Sequence, residues 1–151
     1  MNEALVSFFV EGEPRPKQSF RVGRNGGFTP ARVKAWQTDV ACDAQKAMRE
    51  AGRFNQPFTG TLGAEIRFCL GNHRRVDLDN LNKAVLDGMN RIVFEDDQQV
   101  ATLFLSKQIV KNENPRVCIS VGTEDQIRQR IFLELLQTLD RRFVEKAIRE
   151  F

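Results

Sequence analysis

Apolar residues along the 151-residue chain fall into short runs of two periods, separated by turn residues. Residues 5–10 form an apolar run with the composition of a buried strand. Glu11-Gly12-Glu13-Pro14-Arg15-Pro16-Lys17 follows, and two prolines in three residues preclude a helix there. Ser19 to Val22 and Phe28 flank Gly23-Arg24-Asn25-Gly26-Gly27, where Asn-Gly between extended runs signals a hairpin. Thr29-Pro30 reads as an N-cap followed by proline at the first helical position. Val33, Trp36, Val40, Ala44, Ala47 and Met48 continue at helical steps to Gly52, placed as a C-terminal cap. Leu62, Ala64, Ile66, Phe68 and Leu70 then alternate with Gly63, Glu65, Arg67 and Cys69, a period of two that predicts a strand with one well-buried face. A second helix starts at Asp79 or Asn80 and runs to about Ile92, with Leu81, Val85, Met89 and Ile92 on one side. Residues 102–110 and 116–121 are β-rich and read as a closing hairpin around Lys111-Asn112-Glu113-Asn114-Pro115.

This order predicts an α/β fold of the α+β type, a mixed β-sheet with helices packed on it, in one compact domain over residues 1–122. The composition changes at Thr123. Thr123-Glu124-Asp125-Gln126 matches a capping box, and Ile127, Ile131, Leu135, Leu139, Phe143 and Ala147 follow at steps of four. One long C-terminal helix of up to ~28 residues, about 42 Å, is expected over the extension 123–151. Its wide apolar face must pack either on its own sheet or on another chain.

The three cysteines, Cys42, Cys69 and Cys118, form no CxxC pair and lie in apolar segments, which suggests reduced core thiols and a cytoplasmic protein. With a single histidine, His73, and no CxxC pair the chain is not expected to hold zinc, and it cannot supply two histidines to a catalytic site. No stretch is apolar enough to span a membrane, and polar Asn2-Glu3 follows Met1 without a basic signal region. Net charge is +3, and residues 1–122 carry all of that excess, 17 basic against 14 acidic side chains.

Within that basic region four aspartates, Asp77, Asp79, Asp96 and Asp97, bracket the second amphipathic stretch. Carboxylates gathered in a basic protein are a means of holding a hard divalent cation against a polyanion, where the ion activates water and stabilises a phosphoryl transition state. In extended chain Asp77 and Asp79 would point the same way. Lys83, one turn after Asp79, can hang over the same site and neutralise a phosphate, and Asp97 can fold back beside the pair. Asp87, four residues after Lys83, competes as an ordinary ion-pair partner for it, Asn80 caps the helix or orients a carboxylate, and His73 reads as a loop residue. Arg15, Lys17, Arg21 and Arg24 form a basic arm and Arg74-Arg75 precede the acids, a distribution suited to a phosphate backbone. Phe8, Phe9, Phe68 and Trp36 read as core, whereas Phe20 and Phe28 on the hairpin are the aromatics placed to wedge a DNA branch.

Arg75-Val76-Asp77-Leu78-Asp79-Asn80-Leu81-Asn82-Lys83, with Leu86-Asp87-Gly88 and Asp96-Asp97-Gln98-Gln99-Val100, resembles the signature of the RusA family of Holliday-junction resolvases, endodeoxyribonucleases of bacteria and their prophages. Gly12 to Lys17, Phe28-Thr29-Pro30 and Trp36 are similar to that family's N-terminal half, so the resemblance spans roughly residues 5–121. It implies a Mg²⁺-dependent homodimer (Mn²⁺ as substitute) that places symmetric nicks across a four-way DNA junction. It further implies Asp77, Asp79 and Asp97 as metal ligands, with Asp96 the alternative to Asp97, and Lys83 as the basic catalytic residue. Arg15, Lys17, Arg21, Arg74, Arg75 and Asn80 are the expected DNA contacts. A non-catalytic module that grips branched DNA is the rival reading. Two features depart from the family pattern: the extension beyond 123, and Gln18-Ser19-Phe20-Arg21, which is less basic than the family's arm.

Overall fold

The structure, a computed structural model, describes residues 5–18, 21–24, 26–139 and 141–150. Its centre is β4 (Leu62–Leu70), in which every residue but Arg67 is buried. A strand buried on both faces gains most when both of its edges are also hydrogen-bonded. β6 (Arg116–Gly122) pairs with one edge antiparallel and β5 (Val100–Ile109) with the other in parallel, while β1 (Val6–Glu11) adds to the far side of β6. The four-stranded order is therefore β1-β6-β4-β5. β5 and β6 are not the hairpin that their sequence proximity predicts, because β4 lies between them. A parallel neighbour instead requires a crossover, and the chain makes it through α2 (Leu78–Met89). The predicted α+β class with a mixed sheet is what the chain adopts.

The remaining elements follow the apolar periods closely. β2 (Arg21–Gly23) and β3 (Gly26–Phe28) form the expected hairpin, with Gly26 at φ +98° in its turn. α1 (Ala31–Glu50) buries Val33, Trp36, Val40, Ala44, Ala47 and Met48, and Gly52 at φ +72° closes it. Pro30, not Thr29, occupies its N-cap and makes no side-chain capping bond. α2 begins earlier than predicted, with Asp77 at its N-cap, so Asp77 and Asp79 do not share one extended segment. Together α1 and α2 cover one face of the sheet over Ile66, Phe68, Val117 and Ile119.

α3 (Glu124–Thr138) crosses the other face of β4, which explains why Gly63 and Glu65 are also buried. A Cβ on Gly63 would lie 3.0 Å from Ile127, whose side chain is fully buried. Glu65, 4% exposed, accepts a hydrogen bond from Arg130 at 3.0 Å and pairs with Arg67, which in turn meets Glu134. The predicted capping box at Thr123 and Gln126 is formed in both directions. The single long helix is not: α3 ends at an extended Leu139, and α4 (Arg141–Glu150) is a separate helix. The step-of-four apolar pattern runs through this break without marking it. Beyond Ile127 the face of α3 is open, with Phe132, Leu133, Leu135 and Leu136 exposed.

Two other expectations are corrected. Cys69 is buried and Cys118 half-buried, but Cys42 is exposed on α1. Phe9 is exposed, because it alternates outward from Val6 and Val10, whereas Phe68 and Trp36 are core and Phe8 packs against it. Among the described residues, no helix is long and apolar enough to cross a membrane.

The two helices come close at Gly88, where an added Cβ would come within 2.9 Å of the Gln37 carbonyl oxygen and of Val40 Cβ. Neither neighbour is a flexible side-chain end. Gly88→Ala is expected to destabilise the protein by about 1–2 kcal/mol, overpacking outweighing alanine's better helix propensity. A lower urea midpoint at unchanged m-value is the measurement that checks it.

Candidate active site

The proline-rich arm that precludes a helix lies instead along the segment that leaves β4. Gly12 N–H donates to the Pro115 carbonyl at 3.0 Å, Glu13 accepts from Gly71 N–H at 3.0 Å, and Lys17 N–H donates to the Asn80 carbonyl at 2.9 Å. Arg74 is half-buried and donates to the Pro14 carbonyl, with Glu13 3.4 Å away. Its guanidinium thus fastens the arm to the loop. From the opposite side Lys107 Nζ on β5 donates to the Val76 carbonyl at 2.5 Å. The chain is therefore held on two sides where Asp77 begins.

Asp77 sits at the N-cap of α2 in extended conformation (φ −72°, ψ 130°), yet its carboxylate makes no capping bond. Its recorded contact is a long one, from Asn80 Nδ2 at 3.4 Å, which fits the orienting reading of Asn80 better than the capping one. Asp79 lies in the first helical turn, exposed, with Lys83 Nζ 3.7 Å from it. Asp87, two helical turns past Asp79, is not the partner of Lys83. It accepts from Lys17 Nζ at 2.5 Å and from Gln37 at 3.3 Å. Lys17, expected to meet DNA, is turned inward to this pair.

The two later aspartates differ sharply. Asp96 caps the 3₁₀ turn Asp97–Gln99: its Oδ1 accepts from Gln98 N–H at 2.8 Å. In return Gln99 Oε1 accepts from the Glu95 and Asp96 N–H groups, and its Nε2 donates to the carbonyls of Phe58 and Gly60, both at 3.0 Å. Gln99 is a structural residue that the reading of the sequence missed, although the spacing Asp-x-x-Gln is that of a capping box. Asp97 is half-buried and holds its proton more tightly than an ordinary aspartate. Burial is the largest cause, followed by the hydrogen bond and charge of Asp96 and the charge of Asp87, with Lys17 opposing them.

Asp97 does not fold back beside Asp77 and Asp79, and the sheet explains why. β5 runs parallel to β4 with Val100 opposite Leu62 and Ile109 opposite Leu70, so the chain enters β5 at the end of the sheet opposite to where it leaves β4. The twelve residues of α2 span that separation, about 18 Å. Among the described residues, no three carboxylate, histidine or cysteine side chains lie close enough together to hold a metal ion. The donors at the α2 N-terminus are hard oxygens of the kind that suit Mg²⁺ or Mn²⁺.

Arg75 is exposed just before Asp77, Arg15 is half-buried, and His73 is an exposed loop residue. Phe28 is exposed on β3. The side chain of Arg21 and the whole of Phe20 lie outside the described residues. The family model described as Endodeoxyribonuclease RusA matches residues 11–122, an interval that contains every element from the arm to β6. No curated protein matches the chain.

The raised proton affinity of Asp97 has a consequence for stability. In the folded, metal-free chain the ionised carboxylate is disfavoured relative to the unfolded chain, so it opposes folding above its folded pKa and ceases to do so as pH falls through that value. Asp97→Asn is expected to raise Tm slightly at pH 7, by no more than about 2 °C. The gain should shrink towards zero near pH ~4. Thermal melts in EDTA across that range check the sign.

Proposed function

The chain belongs to the RusA endodeoxyribonuclease family, and from that membership we propose a Mg²⁺-dependent, structure-selective nuclease that resolves Holliday junctions and related branched DNA by paired symmetric nicks in recombination and repair. The observation that carries the catalytic part is Asp77. An aspartate at a helix N-cap ordinarily accepts a bond from the first turn, and here the carboxylate is left uncapped beside an exposed Asp79, with Lys83 one turn on.

Two copies are needed on physical grounds. A four-way junction has approximate two-fold symmetry, and paired cuts suit a C₂ dimer. β5 is an edge strand with one side of its backbone unpaired in the sheet. Antiparallel pairing of β5 with the same strand of a second copy would set the start of one strand beside the end of the other. Asp97 of each copy would then approach Asp77 and Asp79 of its partner. Those three carboxylates would hold Mg²⁺, or Mn²⁺ in its place, and the bound ion supplies an acidified water and compensation of phosphate charge. Asp96, engaged as a cap, is the weaker candidate for third ligand.

The remaining roles belong to the chain itself. Asn80 orients the Asp77 carboxylate. Lys83 exchanges Asp79 for a non-bridging phosphate oxygen and offsets the charge that grows on it in the transition state. Arg75, Arg15 and Arg21 contact the backbone on either side, and Lys17 reaches it only by leaving Asp87. The rival reading, a module that grips branched DNA without cutting it, is favoured by the incomplete ligand set of a single chain.

Purified protein with Mg²⁺ is expected to nick a synthetic four-way junction at symmetric positions on two strands. Asp79→Asn should retain junction binding and lose at least about 100-fold in cleavage rate. If the wild-type protein binds the junction but leaves both strands intact, the rival reading stands. Mixing Asp79→Asn with Asp97→Asn discriminates the shared site from one built within a chain. Each variant alone should be inactive, whereas their heterodimer keeps one complete site and should give single nicks. A mixture as inactive as its parts would remove Asp97 as a ligand supplied by the partner.

A further inference from the structure

We infer that Lys107 is a further DNA-binding residue of this site, its ammonium meeting a backbone phosphate next to Asp77; the inference rests on the nuclease reading above for the identity of the polyanion. Leu105 and Ile109 pack against the hydrophobic core, and strand side chains alternate, so Lys107 lies between them on the face that α2 covers. Opposite it on β4 is Phe68, fully buried. A lysine in such a stripe carries its stem along apolar surface and its charge out to the nearest polar edge. That edge is the segment entering α2, where Nζ donates to the Val76 carbonyl at 2.5 Å, one peptide link from Asp77.

What distinguishes Lys107 is the partner it lacks. Lys83 is paired with Asp79 and Lys17 with Asp87. Among the described residues no carboxylate pairs with Lys107, whose ammonium has three donors and gives one of them to a neutral carbonyl. Two donors and a full charge are left on an exposed side chain anchored at the peptide link that leads into Asp77. A phosphate oxygen is the acceptor that matches them, and a contact there would fix the strand relative to Asp77.

The test uses Lys107→Met, which keeps the apolar stem and removes the charge, and Lys107→Arg, which keeps the charge. Binding to a four-way junction is measured in EDTA from about 50 to 200 mM salt, alongside Mg²⁺-dependent cleavage and Tm. The expected result for Lys107→Met is a slope of log K against log salt shallower by about 0.9, one phosphate contact, and cleavage at saturating junction slowed at least about 10-fold. Lys107→Arg should keep the wild-type slope. An unchanged slope and cleavage rate with a lowered Tm would overturn the inference and leave Lys107 as a structural tie to Val76. Should Lys107→Met not fold, Lys107→Gln is read in the same way. Wild-type protein that binds junctions without cutting them would sink the nuclease reading while the slope still decides Lys107. Wild-type protein that binds no DNA would sink both.

Discussion

The double burial of β4 is the constraint from which the rest of the fold follows. Helices α1 and α2 cover one face of this strand, and α3 crosses the other. With both faces dry, both edges must be hydrogen-bonded, which draws β6 to one side and β5 to the other. The parallel member of that pair cannot be reached by a tight turn. α2 exists because the chain has to travel back along the sheet, and the candidate site residues lie at the two ends of that journey.

This geometry explains which parts of the fold and the site were legible in the sequence. Period-two alternation located β4, and three-four spacing located α1 and α2, because those patterns record which side of each element meets the core. Strand order was not legible: residues 111–115 look like a hairpin turn, and nothing local to β5 or β6 reveals that β4 inserts between them. The break at Leu139 also left no mark, since an apolar step of four can continue from one helix into the next. For the site, spacing placed Asp79 and Lys83 correctly one turn apart. It misplaced Asp97 because the direction of β5 decides which end of the sheet Asp97 occupies.

Five aspartates within one short segment hold different positions, and their neighbours account for the differences. Asp96 accepts a backbone N–H and caps the 3₁₀ turn that leads into β5. Asp87 answers Lys17 and Gln37 and so ties the proline-rich arm to the helices. Asp97 is compressed by burial and by like charge, a state that a cation would relieve. Asp77 and Asp79 alone face outward with little to satisfy them. Residue type proposed a cluster; hydrogen-bond partners separate the structural members from the available ones.

The ion network on the back of β4 bears on what counts as one folding unit. Similarity to the family ends at residue 122, yet Glu65, deep inside the matched region, relies on Arg130 of α3 as well as on Arg67. A buried carboxylate that loses a cationic partner is costly, and removing α3 would also uncover Gly63 and the floor beneath Ile127. The matched interval and the packing around β4 therefore end at different places. A helix beyond the family match thus closes one face of the strand at the centre of that match.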